Sequence, residues 1–259
     1  MNTFKAFLLS RRSWLRKRVR ENTGFFYGLI KGSPFVGRRL GLKLLFDLNS
    51  TIDKSLLAFW SYEKKQQDIL FSSARAGVRS GERTIFLDIG ANWGVYALVA
   101  ESSKIYDRIM AVEADSRNAS QLHANLFLNN LTDKVDVICA AASDSSTTVE
   151  FNLAPNRSRD VSRAGETVNR PGWEKKTVPA VRIDDLEQMS GGFVVGKIDV
   201  EGFEDKVIDG MKNLLTRNRC CLQIEVFADT LERFTHKMTA LGFHKFDELK
   251  DDRYFKNYS

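Results

Sequence analysis

The 259-residue sequence is 43% hydrophobic and 28% charged, the balance of a folded chain with room for one large domain or a domain with an extension. It has no run of about 18 apolar residues, so no transmembrane helix is expected. The apolar patch at residues 4–9 is short and precedes its charges, so no secretory signal is expected either. The net charge of +6 is uneven: residues 1–45 hold eleven Lys and Arg against one acid, Glu21, for +10, and the remainder sums to −4. The basic character belongs to an N-terminal arm, which argues against nucleic-acid binding across the whole domain. Three cysteines, two of them adjacent (Cys220 and Cys221), form no CxxC or Cys/His cluster of metal spacing. A reduced, cytoplasmic protein is expected.

In chain order, residues 1–20 are predicted to form a basic amphipathic helix, with Phe4, Phe7, Leu8, Trp14, Leu15 and Val19 on one face. Such a helix suits peripheral contact with an anionic membrane surface, or packing as an entry helix. Residues 21–45 alternate aromatics with Gly and Pro and are expected to be irregular, apart from a short strand over 41–48. A helix over 55–76 leads into the core. Strands and helices then alternate: strand 84–89, helix 96–103, strand 108–113, and a helix N-capped by Ser116 that carries Leu122, Leu126 and an Asn125/Asn129 pair. Strand 134–139 follows, then extra strands 147–152 and 177–183 around a long loop. Strand 193–198, helix 204–215 and strand 220–227 come next, then a helix capped by Asp229 and ending at 241. Strands 243–246 and 254–256 close the chain. The alternation predicts an α/β fold with a mostly parallel, doubly wound sheet. It is expected to comprise an arm (1–45), a lead-in (46–83) and a main domain (84–259).

Ligands in such sheets sit beyond the carboxyl ends of the strands. The first stretch that ends there is TIFLDIGANWG, residues 84–94. By itself it fits a ligand cradle and a plain strand-to-helix turn equally. Glu113 closes the second strand 23 residues after Gly90, about the spacing at which an acid reaches a ribose diol. From Gly90, the dinucleotide pattern GxGxxG fails at Asn92 and Val95, and no GK[ST] phosphate loop is present. Asp88 before the turn would repel a pyrophosphate but suits an ammonium. An adenosine at one end and an α-amino acid at the other satisfy both acids, which describes S-adenosylmethionine. The second stretch is KIDVEG, residues 197–202. Asp199 and Glu201 could act as a general base or bind a divalent cation; alternatively they pair with Lys197 and cap the next helix. No metal ligand is assigned. The loop over 154–176 carries Arg157, Arg159, Arg163 and Arg170, suited to a phosphate or carboxylate on an acceptor. It also carries Trp173, which would stack on a sugar or simply pack.

The segments LDIGANWGVY, AVEAD, LHANLFLNN, RIDDL, KIDVEGFE and LQIEVF, in this order and spacing, resemble the FkbM family of S-adenosylmethionine-dependent methyltransferases. The likeness covers about residues 84–227, and KIDVEG is its most specific block. The resemblance implies a class I, Rossmann-like methyltransferase with a seven-stranded sheet. It implies that Asp88, Gly90, Ala91, Asn92 and Gly94 hold the methionine part and Glu113 the ribose. Ala114 and the region of Ala141 would border the adenine, with Asp199 near the transferring methyl. The family mostly methylates hydroxyls, often on sugars, so an O-methyltransferase acting on a sugar, glycan or glycosylated metabolite is expected. A hydroxyl is a poor nucleophile and needs a base, with Asp199 or Glu201 expected in that role and Lys197 or Glu225 orienting it. Two other functions remain compatible with the sequence: a nucleic-acid methyltransferase gripping phosphates with the arm, and a non-catalytic module that binds a partner through it.

Overall fold

The computed structural model describes residues 2–165 and 168–259; the side chains of 2–13, 157, 158 and 160, including Phe4, Phe7, Leu8 and Arg157, lie outside the described set. The chain begins with helix α1 (Asn2–Lys31), which runs through much of the segment expected to be irregular. Glycines at 24 and 28 do not break it because they let it approach its neighbour: a Cβ on Gly24 would meet Lys54 Cδ at 2.8 Å. A hairpin of β1 (Phe35–Arg39) and β2 (Leu42–Phe46) follows, in place of the single expected strand. The single helix expected over 55–76 is two, α2 (Thr51–Phe59) and α3 (Lys64–Gly77), parted where Trp60 and Glu63 adopt left-handed backbone at φ 58° and 47°.

The strand–helix alternation then begins, with β3 (Thr84–Ile89), α4 (Val95–Ser103), β4 (Arg108–Val112), α5 (Ser116–Leu128) and β5 (Asp136–Ile138). Asp115, not Ser116, caps α5, its carboxylate accepting from Arg117 N. Strands β6 (Ala141–Ala142), β7 (Thr148–Leu153), β8 (Arg163–Ala164) and β9 (Glu174–Val181) form a small second sheet. The segment expected to be one long loop thus holds a 3-10 helix (Asn156–Val161), β8 and the start of β9. Next come α6 (Ile183–Leu186), β10 (Phe193–Ile198), α7 (Glu204–Gly210), α8 (Lys212–Arg217) and β11 (Arg219–Glu225), with α7 and α8 replacing one expected helix. Helix α9 (Leu231–Ala240) has Thr230 rather than Asp229 at its N-cap. Strands β12 (His244–Leu249) and β13 (Asp252–Lys256) finish the chain.

The main sheet has seven strands in the order β12-β13-β11-β10-β3-β4-β5. The five from β11 to β5 are parallel, and β13 joins β11 antiparallel. Every residue of β3 and β10 is buried. Near-continuous apolar runs are what a parallel strand covered on both faces requires. Phe86, Phe193 and Val195 join the core under α2–α5, while Ile85, Leu87, Ile89, Val194 and Ile198 join the one under α7–α9. Strand order reverses between β3 and β10, and that switch point is where a crevice opens.

The hairpin is bound to the main body by Asn125 of α5 and Asn129, the residue that caps its C-terminus. Asn125 Oδ1 accepts from Leu45 N at 2.8 Å, and Asn129 exchanges hydrogen bonds with Lys43 N and O at 3.0 and 2.7 Å. Asn125 Nδ2 also donates to Trp93 O at 3.0 Å, so one side chain ties the hairpin to the glycine turn.

Candidate active site

A cleft of about 330 Å³, open to solvent at its mouth, lies over the carboxyl ends of β3, β4, β10 and β11. Small-molecule sites usually measure about 300–1,000 Å³, so the cleft falls at the lower end of that range. Strand register builds its floor. Asp88, Lys197 and Gln223 are paired across β3, β10 and β11, so three polar side chains interrupting apolar strands stand in one row on one face.

The glycine turn forms one wall. Gly90 N and Ala91 N donate to Val112 O at 2.9 and 3.0 Å, and Asp199 N donates to Ile89 O at 3.0 Å, so the turn is laced to strands on both sides. Gly90 has φ +76°, and a Cβ there would lie 1.8 Å from Asp199 O; only glycine fits. Asn92, also left-handed at φ 51°, donates its N–H to Glu113 Oε2 at 2.8 Å. Asp115 N donates to Glu113 Oε1 at 2.7 Å. Glu113 is thereby fixed with lone pairs left over. Burial pushes its carboxyl up to about 7, against the pull of those two N–H groups. Asp88 is buried and accepts from Ala97 N at 2.9 Å. Burial raises it to about 6, although Lys197 and the Ala97 N–H pull it down.

The opposite wall is the carboxylate block. Lys197 Nζ donates to Asp199 Oδ2 at 2.7 Å and sits 5.2 Å from the centroid of the Tyr96 ring. Burial opposes the lysine's charge, but Asp199, Glu63 and Asp88 outweigh it and raise its pKa. Asp199 moves the other way: burial works against its charge, yet Lys197 and a hydrogen bond with Glu225 hold it below the usual carboxylate range. Glu201, at φ 58°, is pushed to about 7 by burial and the Asp199 charge. Glu225 is pushed to about 9 by burial, the Asp199 charge and the hydrogen bond to it. Oxygens of Asp199, Glu201 and Glu225 all lie within 4.8 Å of one another. Three carboxylates this close cannot all ionise cheaply: Lys197 holds Asp199 as the anion, Glu225 is pushed toward its protonated form, and Glu201 is left near neutrality.

The methyltransferase FkbM domain matches residues 88–251. This chain belongs to the FkbM methyltransferase family. Among solved structures, the human methyltransferase 10 domain containing protein superposes with a TM-score of 0.50 at 13% identity, over 94% of this chain and 98% of that one. The ribosomal protein L11 methylase from Lactobacillus delbrueckii subsp. bulgaricus gives 0.45 at 12% identity, over 75% and 79%. The N-terminal domain of human METTL16 in complex with SAH gives 0.46 at 14%, over 94% and 83%. Comparison with curated proteins returns no match. The enzyme is thus an S-adenosylmethionine-dependent methyltransferase with the class I sheet.

The cleft of this FkbM methyltransferase suits that cofactor chemically. Six carboxylates line it (Glu63, Asp88, Glu113, Asp199, Glu201, Glu225), against the cations Arg20, Arg159 and Lys197. Asn92 Oδ1 and Asn118 Oδ1 are buried without a hydrogen-bond partner. So many acceptors call for a ligand rich in donors and positive charge. An α-ammonium, a sulfonium, two ribose hydroxyls and an exocyclic amine supply both.

Of the residues singled out in the sequence, Asp88, Gly90, Ala91, Asn92, Glu113, Ala114, Ala141, Lys197, Asp199, Glu201 and Glu225 all line the cleft. Gly94 is not among the lining residues; its φ of +93° and a Cβ that would meet Leu122 Cδ1 at 2.2 Å require glycine for the turn and for packing against α5. Trp173 is also outside the lining, and Arg170 is exposed. Arg159 does reach the cleft, anchored to Asp47 at 3.1 Å and to Gln121. Sequence reasoning missed Glu63 and Tyr96. The Tyr96 hydroxyl donates to Glu63 Oε2 at 2.9 Å and accepts from Gln223 Nε2 at 3.0 Å, and Gln223 also donates to Asp252 at 2.8 Å. Tyr96 lies inside the LDIGANWGVY block, where a helical position hid it. Glu63 had no local signal, because only a backbone kink between two helices brings it in.

Proposed function

We propose that this enzyme transfers a methyl group to a hydroxyl of a sugar, glycan or glycosylated metabolite, with Glu201 as general base. The observation that carries the proposal is the division of labour among Asp199, Glu201 and Glu225. Lys197 contacts Asp199 and keeps it ionised. Glu201, with its pKa near 7, is left as the group best matched to taking a proton at neutral pH.

Glu113 and Asp88 would hold the ribose and the ammonium, and the turn over 90–92 the rest of the amino-acid end. Bound S-adenosylmethionine supplies an electrophilic methyl on a sulfonium. Glu201 orients the acceptor hydroxyl and takes its proton as the oxygen attacks. Asp199 accepts a hydrogen bond from protonated Glu225, which keeps the pair from competing for the acceptor proton. Val161 and Phe203 line the cleft and help to exclude water; alignment supplies much of the rate. A hydroxyl acceptor is favoured because nitrogen and sulfur nucleophiles have less need of a carboxylate base.

The test is transfer of labelled methyl from S-adenosylmethionine into fractionated glycans, small metabolites and RNA, with and without a chelator. Label in hydroxyl-bearing sugars is expected, unaffected by chelation. Label confined to RNA or protein overturns the acceptor class, and loss on chelation would make the three carboxylates a cation site instead.

A further inference from the structure

Among the described side chains of α1, large apolar groups stand in solvent. Leu15, Phe25, Phe26, Leu29 and Ile30 are exposed, Ile30 by 77%. At the helical repeat these positions share one broad stripe. The opposite side, with Gly24 buried and Arg20, Thr23, Tyr27 and Gly28 half-buried, packs on α2 and the hairpin. Small and polar groups face the body, and large apolar ones face out with exposed Arg18 and Asn22 among them. Trp14 is exposed with the Arg18 guanidinium 5.3 Å from its ring centroid. Trp60 is 69% exposed, with Arg39 4.0 Å from its ring. Lys17, Lys31 and Arg38 are exposed nearby in the chain.

We propose that this face of α1 docks the enzyme onto an anionic lipid surface. Charge selects the occupant. Residues 1–45 carry +10 while the rest of the chain carries −4, so a second copy would bring like charge against like. An anionic bilayer offers hydrocarbon to the stripe and negative headgroups to the flanking bases, and tryptophans paired with arginines suit the boundary between them. Among the described residues no helix is long and apolar enough to cross a membrane, so the helix lies along the surface. The cleft would lie close to that surface, since Arg20 of α1 and Thr51, Ile52 and Ser55 of α2 line it.

The test is co-sedimentation of the full chain with phosphatidylcholine vesicles, with and without phosphatidylglycerol. Binding is expected only with the anionic lipid, and is expected to weaken steeply with salt. The double variant Leu29→Glu, Ile30→Glu is expected to lose affinity by at least about ten-fold, as is Arg18→Glu with Arg38→Glu. Unchanged helix content and unchanged S-adenosylmethionine affinity show that these variants remain folded. Equal binding to neutral vesicles, or no binding to either, overturns the proposal. So does a dimer in solution, seen by light scattering, that the Leu29→Glu, Ile30→Glu variant dissolves.

Discussion

Glu201 and Asp199 sit two residues apart, yet their surroundings shift them in opposite directions. Lys197 binds Asp199, while burial and the Asp199 charge, against the pull of Arg163 and Lys197, push the Glu201 carboxyl to about 7. As a base, Glu201 works ionised, so turnover should rise with pH through about 7 and then level off. Replacing it with Gln keeps its size and hydrogen-bonding but removes the base. The expected loss in kcat is roughly 10²–10⁴-fold, with the pH step gone and S-adenosylmethionine affinity by calorimetry unchanged. Asp199→Asn should be worse folded as well as slower, because it strands the buried Lys197 charge. A Glu201→Gln enzyme with normal turnover would remove this residue from the chemistry.

Elements position these residues through a few contacts that can be broken singly. The side chain of Asn125 bridges Leu45 N and Trp93 O from a fully buried position. Asn125→Ala should leave both backbone groups unpaired and cost about 1–3 kcal/mol in urea unfolding. Because Trp93 belongs to the glycine turn, cofactor affinity should fall too. Gly90→Ala should be at least as damaging, by about 2 kcal/mol or more, since it adds a methyl 1.8 Å from a backbone oxygen at a left-handed φ. The same elements show what the sequence could disclose. Strands β3 and β10 were legible because buried parallel strands are written as apolar runs, and Gly90 and Glu113 were legible as cleft residues because a tight turn and a strand end follow from local spacing. The Asn125/Asn129 pair was visible, but its partner was not, since the hairpin it clamps lies about eighty residues away. Helix α1 overran its expected end because glycine's local cost yields to the close approach at Gly24. Glu63 was out of reach for a similar reason: only the packing of α2 and α3 brings it to Tyr96.

The whole molecule must hold an acid-rich seam inside an apolar sheet before any ligand arrives. Asp88 at about 6, and Glu113 and Glu201 at about 7, all lie above the range of an unfolded chain, chiefly because of burial. Glu225 extends the trend to about 9. Each group therefore binds its proton more tightly in the folded state. The stability it contributes is fully present below the unfolded pKa, near 4, and is lost as pH rises through the folded value. Asp199 has the opposite sign, but its contribution is lost only on acidification below the usual carboxylate range. Between about pH 5 and pH 8 the raised groups decide the slope, and the ligand-free protein should melt at progressively lower temperature. A cationic, donor-rich ligand reverses the balance at Asp88 and Glu113 by favouring their ionised forms. Saturating S-adenosylmethionine should therefore raise Tm more at pH 8 than at pH 5, and flatten the decline. Thermal scans across that window, with and without the cofactor, read both effects. Glu113→Gln, which removes one titrating group, should show a shallower ligand-free slope and a smaller cofactor shift. A ligand-free Tm that rises toward pH 8 would mean that these carboxylates are already ionised and compensated, and that the cleft needs no cation to settle it.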